Sequence, residues 1–314
     1  MIIPDSLQNG DTIAILAPAT RVNPEFVRGA EARLLAEGFN VRVFPSALGD
    51  IAEGSYSAPF ATRLAELTSA FADPEIKAIL CARGGYGCAR LIDKFEPEFL
   101  RENAKWMIGF SDISALHAMM GRAGVASIHG PMAKHIATSP ADDYCTQALL
   151  RILRTSQIPE YFAPHEEENI PGTAEGILVG GNLAVLNDLV ATPFDVFARA
   201  DNEDIILVLE DIGEAIYAVE RMMRRLMLTG TLGKLKGIIF GHFTEYRADR
   251  DYADMELMLT SLMREAGLEN PERAIPVVYG FPAGHTPDNL PLVLNVPARL
   301  AVTPEATLLS NFEF

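Results

Sequence analysis

The sequence predicts an α/β protein, with a mostly parallel sheet in its first half and a smaller, β-rich second half built on a mixed sheet. Three observations lead there. Short apolar runs alternate with amphipathic helical patterns up to about residue 155, the rhythm of βαβ units. The stretch from 156 to 173, SQIPEYFAPHEEENIPGT, then carries three prolines and several acids with no sustained period, which marks a linker. Beyond it the last apolar runs lie close together, so part of their sheet is antiparallel. The expected division is therefore 1–155, a linker over 156–173, and 174–314.

In the first half, Thr12–Leu16 (TIAIL) is a buried strand that ends at Ala-Pro. Asn23 and Pro24 supply an N-cap and a first-turn proline for a helix from Phe26 to Leu35. Residues 40–44 (NVRVF) follow as a strand and 60–72 as a helix. KAILCA, KWMIGF and VASIHGPM read as strands, DISALHAMMGR as a helix between the last two, and 141–154 as a further helix. The second half opens with a strand and turn (ILVGGN), then DIILVLE, a helix from about 214 to 229, and KGIIFGHF. A helix over about 253–266 precedes PVVYGF, PLVLNVP and RLAVTP. In such a sheet the functional loops lie at the carboxyl ends of the strands.

Composition narrows the function. The net charge of −16 repels phosphate backbones and argues against a nucleic-acid partner. An anionic substrate would need a few local arginines against that field. No run of about 18 apolar residues suggests a membrane span, and MIIPDSLQNGD does not read as a signal peptide. Cys81, Cys88 and Cys145 form no CxxC pair, which fits a reducing compartment, the cytoplasm, and no disulfide framework. The six histidines show no metal-ligand spacing, so no metal is expected.

Four segments carry the chemistry. In KWMIGFSDISALH, Ser111 falls on a strand-to-helix turn, and the amides that follow, beginning with Asp112 N–H, face outward from a helix N-terminus. Ile113 replaces the second glycine of G-x-S-x-G, so that motif is not met. CARGGYG places Gly84 and Gly85 after a strand, where bare backbone can approach an oxyanion, and Arg83 beside them could grip a carboxylate. It is neither a dinucleotide fingerprint nor a Walker A loop. In IILVLEDIGE, Glu210 or Asp211 at a strand end could orient a histidine. His285, in the Pro/Gly loop GFPAGHTP, is the histidine best placed to be a base. Plainer uses exist for each: Ser111 as a helix N-cap, the glycines as a tight turn, Glu210 as a cap of the next helix.

Taken together and in order, ARGGYG (82–87), GFSDIS (109–114), LVLEDIGE (207–214) and GFPAGH (280–285) resemble the S66 serine peptidases, the LD-carboxypeptidases and their microcin-immunity relatives. The resemblance spans nearly the whole chain and includes the GGNLAVL turn at 180–186. It implies a Rossmann-like N-terminal domain and a smaller β-rich C-terminal domain. Ser111 would be the nucleophile, Glu210 the acid and His285 the base. The oxyanion amides would come from Asp112 and from Gly84 or Gly85, with no cofactor. It also implies a homodimer and a small-peptide substrate, a muropeptide tetrapeptide losing its C-terminal D-alanine. An exopeptidase must bind the free carboxylate of its substrate, for which Arg83 is the candidate, with Asn182 supplying an amide hydrogen bond. The neighbouring activity is hydrolysis of a peptidyl-nucleotide antibiotic, for which relatives use an aromatic in the linker-side loop; Tyr161 and Phe162 lie there. A non-catalytic small-ligand binding protein would keep the glycines and Arg83 without needing Ser111, Glu210 and His285 together.

Overall fold

The structure, a computed structural model, describes residues 1–164, 166–248, 250–268, 270 and 274–311. It divides into two compact units: Met1–Gln157 with Asn289–Asn295, and Ile158–Asp288 with Val296–Phe314.

In the first unit the parallel strands are β1 (Thr12–Leu16), β2 (Asn40–Val43), β3 (Ile76–Cys81), β4 (Trp106–Gly109) and β5 (Ser127–His129). They run in the order β2-β1-β3-β4-β5, and Leu292–Leu294 pairs antiparallel to β5 at the end. This is a doubly wound order whose direction of growth reverses between β1 and β3. In such sheets ligands bind beyond the carboxyl ends of the strands at that switch. The three loops of interest follow β1, β3 and β4. Strands β1, β3 and β4 are almost continuously buried, as expected for parallel strands covered on both faces, whereas β2 at the edge is not. The connecting helices are α1 (Pro24–Ala36), α2 (Phe60–Ala72), α3 (Pro97–Glu102), α4 (Ser114–Arg122), α5 (Ala133–Thr138) and α6 (Tyr144–Thr155). Asn23 caps α1 by accepting from Glu25 N–H at 3.0 Å, as its sequence position predicts. Trp106 of β4 is fully buried and donates Nε1–H to the Asp5 carbonyl at 3.1 Å.

The second unit holds β6 (Tyr161–Pro164), β7 (Gly172–Asn182), β8 (Ile205–Ile212), β9 (Gly237–Thr244) and β10 (Val277–Val278). With Leu292–Leu294 as β11 of the first sheet, the chain ends in β12 (Val296–Val302) and β13 (Ala306–Asn311). The sheet order is β10-β9-β8-β7-β12-β13-β6, parallel from β10 to β7 and antiparallel from there on. Its helices are α7 (Leu183–Asn187), α8 (Ile216–Leu228) and α9 (Met255–Glu265). The central strand β8 is buried along seven of its residues, which places the Glu210 side chain inside the protein. Among the described residues no helix is long and apolar enough to cross a membrane.

The structure departs from the sequence reading at two strand segments and at three short helices. The stretch 156–173 is not merely a linker, because Tyr161–Pro164 forms the edge strand of the second sheet against β13. Its prolines conceal the two-residue alternation in which Tyr161 is buried and Phe162 exposed, and an edge strand tolerates Pro164. The segment PLVLNVP also splits. Leu292–Leu294 belongs to the first sheet and Val296 onward to the second, with the turn made at Asn295, whose φ is +63°. Its carboxamide donates to the His117 and Val125 carbonyls at 3.4 Å each, which steadies that conformation. Strand partners distant in sequence, not local pattern, decide both features. The short helices α3, α5 and α7 escape a reading based on periodicity because each spans fewer than two turns.

Replacing Trp106 by Ala should destabilise the protein by about 3–5 kcal/mol, through the cavity left and the lost bond to Asp5. Urea denaturation followed by circular dichroism measures this; a loss under about 1 kcal/mol would contradict the packing described.

Candidate functional site

In the first unit, two turns meet. Ser111 follows β4 and has φ +67°, a conformation a non-glycine residue holds at a cost of about 1–3 kcal/mol. It opens a short 3₁₀ turn, Ser111–Ile113, that runs directly into α4. The Gly84 backbone passes against it. A Cβ at Gly84 would lie 2.8 Å from Ser111 Cβ and 3.1 Å from both the Asp112 nitrogen and the Phe110 carbonyl, so only glycine allows this approach. Thr20, in the loop after β1, donates its hydroxyl to the Gly84 carbonyl at 2.7 Å. Ser111, Asp112 and Gly84 therefore lie together, while Gly85 packs against the Thr20 side chain. Arg83 is exposed and donates from Nη1 to the Arg21 carbonyl at 3.0 Å.

His117, one turn into α4, is no base. Its ring is buried, with Nε2 against the Gly109 carbonyl at 2.8 Å and Nδ1 against the Ser127 hydroxyl at 2.9 Å. A carbonyl only accepts, so the proton sits on Nε2, and burial holds the ring's pKa down to about 3. The ring props the strand end that precedes Ser111.

In the second unit, Glu210 ends the apolar run of β8 and is wholly buried. Its Oε2 lies 2.7 Å from His285 Nδ1. The carboxylate accepts, so the Nδ1 proton faces Glu210 and Nε2 carries the lone pair, the tautomer a general base needs. Two glycines clear the space. A Cβ at Gly284, where φ is +106°, would stand 2.7 Å from Glu210 Oε2, and one at Gly241 would stand 2.6 Å from the Ala283 carbonyl. His242 N–H donates to that same carbonyl at 3.0 Å, which anchors the His285 loop to β9.

Asp211 is the other acid at this strand end, and it has a different use. It accepts from Ala184 N–H at 2.8 Å and from the Asn182 carboxamide at 3.2 Å. Asn182 is itself 4% exposed and caps α7 by accepting from Val185 N–H at 3.2 Å. The expectation of Asn182 as a substrate contact thus meets a carboxamide engaged in holding α7 to β8, directly across the register from Glu210. Sequence reasoning missed Thr20 and the structural use of Asp211. The only trace of either was position, Thr20 being a polar residue in the loop after a strand and Asp211 one near a strand's carboxyl end. Elsewhere in this unit a cavity of about 180 Å³ is lined by Phe240, Tyr279, Asp254 and Glu256 among others. Burial, then the neighbouring carboxylate of Glu168, raises the pKa of Glu256. Among the described residues no group of three or more His, Cys, Asp or Glu side chains could hold a metal.

Each half matches a known family. The LD-carboxypeptidase N-terminal domain matches residues 13–130 and the LD-carboxypeptidase C-terminal domain residues 175–300. The chain belongs to this family, the S66 peptidases. It is 30% identical to the probable murein peptide carboxypeptidase of Bacillus subtilis, over 95% of this chain and 91% of that protein. It is also 30% identical to the murein tetrapeptide carboxypeptidase of Pseudomonas aeruginosa, over 88% and 89%. Among solved structures, muramoyltetrapeptide carboxypeptidase from Oxalobacter formigenes matches with a TM-score of 0.82 at 29% identity, over 96% of this chain and 100% of that one. The wild-type microcin C7 self-immunity protein MccF has a TM-score of 0.83 at 22% identity, over 99% of each chain, a likeness of fold.

Burial is the main cause that raises the Asp211 pKa to about 6, well above the roughly 3.9 of an unfolded chain. A folded state that holds a proton more tightly is favoured at low pH, so this contribution is complete below about 4 and is lost as pH rises through about 6. Between pH 4 and pH 7 the wild type should lose on the order of 2–3 kcal/mol of stability relative to Asp211→Asn. Denaturant titrations of both proteins across that range test it, and parallel pH profiles would refute it.

Proposed function

We propose that the chain is a serine-type LD-carboxypeptidase that removes the C-terminal D-alanine of a murein tetrapeptide by a Ser111–His285–Glu210 triad. The observation that carries this reading is the buried Glu210 carboxylate 2.7 Å from His285 Nδ1, an arrangement that prepares Nε2 as a base. The strained Ser111 turn beside glycine amides supplies the complementary half, and the named carboxypeptidase relatives supply the substrate class.

In this mechanism His285 Nε2 takes the proton of the Ser111 hydroxyl as the oxygen attacks the scissile carbonyl. Glu210 stabilises the imidazolium that results. Negative charge on the carbonyl oxygen is met by the Asp112 amide and by Gly84 or Gly85. His285 then protonates the departing D-alanine amine, and water, deprotonated by the same ring, releases the acyl group from Ser111. An exopeptidase must hold the free carboxylate of its substrate, and the exposed Arg83 beside the glycine turn has the right chemistry. Asn182 acts less directly, by fixing the end of β7 opposite Glu210. Recycling of cell-wall peptides in the cytoplasm is the role that follows from this activity.

Mass spectrometry of a murein tetrapeptide incubated with wild type, Ser111→Ala and His285→Ala tests the assignment. Wild type should release one alanine, and each variant should be slower by about 10³-fold or more. Equal turnover by Ser111→Ala would sink the nucleophile assignment, and no cleavage by folded wild type would remove this substrate.

A further inference from the structure

The peptide unit joining Gly87 to Cys88 is held from both sides. Its carbonyl accepts from Arg63 Nη1 at 3.3 Å, and its N–H donates to Asp112 Oδ2 at 2.9 Å. Both side chains are interior, Arg63 1% and Asp112 5% exposed. Arg63 is fixed in turn: Nη1 donates to the Pro18 carbonyl at 2.7 Å, Nε donates to the Ala58 carbonyl at 3.1 Å, and the guanidinium lies 4.6 Å over the Tyr56 ring. A buried arginine with three backbone acceptors is costly to displace, because any acceptor it leaves is buried as well.

The consequence lies in the neighbours. Asp112 directly follows Ser111, and Cys88 closes the turn that carries Gly84 and Gly85. The Asp112 carboxylate therefore couples the nucleophile turn to the exit of the glycine turn. The entry of that turn is fixed separately, by Thr20 Oγ1 on the Gly84 carbonyl and by Ala82 N–H on the Leu16 carbonyl at 2.8 Å. With both ends held, the Gly84 and Gly85 amides cannot drift relative to Ser111 without breaking buried hydrogen bonds. Burial raises the Asp112 pKa, while the Cys88 contacts and the charge of Arg63 oppose that rise.

We infer that the Asp112 carboxylate is a positioning residue for the oxyanion-binding amides, acting with Arg63 through the Gly87–Cys88 peptide. This role is distinct from that of the Asp112 amide, and it rests on the triad reading above. Amides aimed at a developing oxyanion act on the transition state, so misplacing them lowers kcat and leaves KM nearly unchanged.

The test compares wild type, Asp112→Ala and Asp112→Asn in two assays: steady-state cleavage of the tetrapeptide, and the rate of Ser111 phosphonylation by a fluorophosphonate read by intact mass. Asparagine keeps an oxygen that can accept from Cys88 N–H. The alanine variant should lose about 10²-fold in kcat and label correspondingly slowly with KM within a few-fold, and asparagine should restore most of both rates. Should the alanine variant fail to fold, Asp112→Glu, which moves the carboxyl by one methylene, carries the same expectation of lower kcat at constant KM. A variant that melts earlier yet turns over and labels at the wild-type rate would overturn the inference. Wild type whose Ser111 neither cleaves nor labels would instead refute the triad reading and this inference with it.

Discussion

A carboxylate sealed inside a protein is tolerated only where its charge is met by well-placed donors, and the second unit is arranged around that constraint at Glu210. Its backbone position, at the carboxyl end of a strand buried along nearly its whole length, commits the side chain to the interior. The His285 ring answers it at 2.7 Å, and the approach of the loop that carries the ring depends on the missing side chains of Gly241 and Gly284. The neighbouring Asp211 has the opposite assignment. Amide donors from α7 and the Asn182 carboxamide surround it, which holds in place the strand end on which Glu210 sits. Two adjacent acids on one strand, facing different partners, thus divide orientation of the histidine from support of the scaffold.

The first unit shows the same economy at a turn. A parallel sheet delivers β1, β3 and β4 side by side with their carboxyl ends together; the loop after β3 meets Ser111 at Gly84, and the loop after β1 holds Gly84 through Thr20. The backbone strain at Ser111 is sustained by three contacts: the close Gly84 main chain, the Ile113–Phe110 hydrogen bond within the turn, and the His117 ring on the Gly109 carbonyl. Exposing a serine at such a turn costs stability, and the neutral, buried His117 is part of what offsets it.

Much of this was legible in the chain. The βαβ rhythm, the capped start of α1, the four ordered motifs, the strand-end positions of Ser111 and Glu210 and the loop position of His285 all follow from residue type and local spacing. What stayed hidden was non-local. Pro164 disguised an edge strand; a single segment, PLVLNVP, serves two sheets; and Arg63, read as part of an amphipathic helix, proves to be an interior brace. Periodicity reports which face of an element is apolar and is silent about a polar side chain that finds its partners in distant backbone.

By itself the sequence determined the class of fold, the order of the elements and the residue types available for chemistry, because strand and helix formation and turn preference are short-range. The tertiary structure decided which of two adjacent acids meets His285, that the Asn182 carboxamide supports α7, and that Gly84 must be bare because Ser111 occupies the space beside it. Those outcomes depend on which groups separated by tens of residues come within hydrogen-bonding distance, and only the packed chain sets that distance.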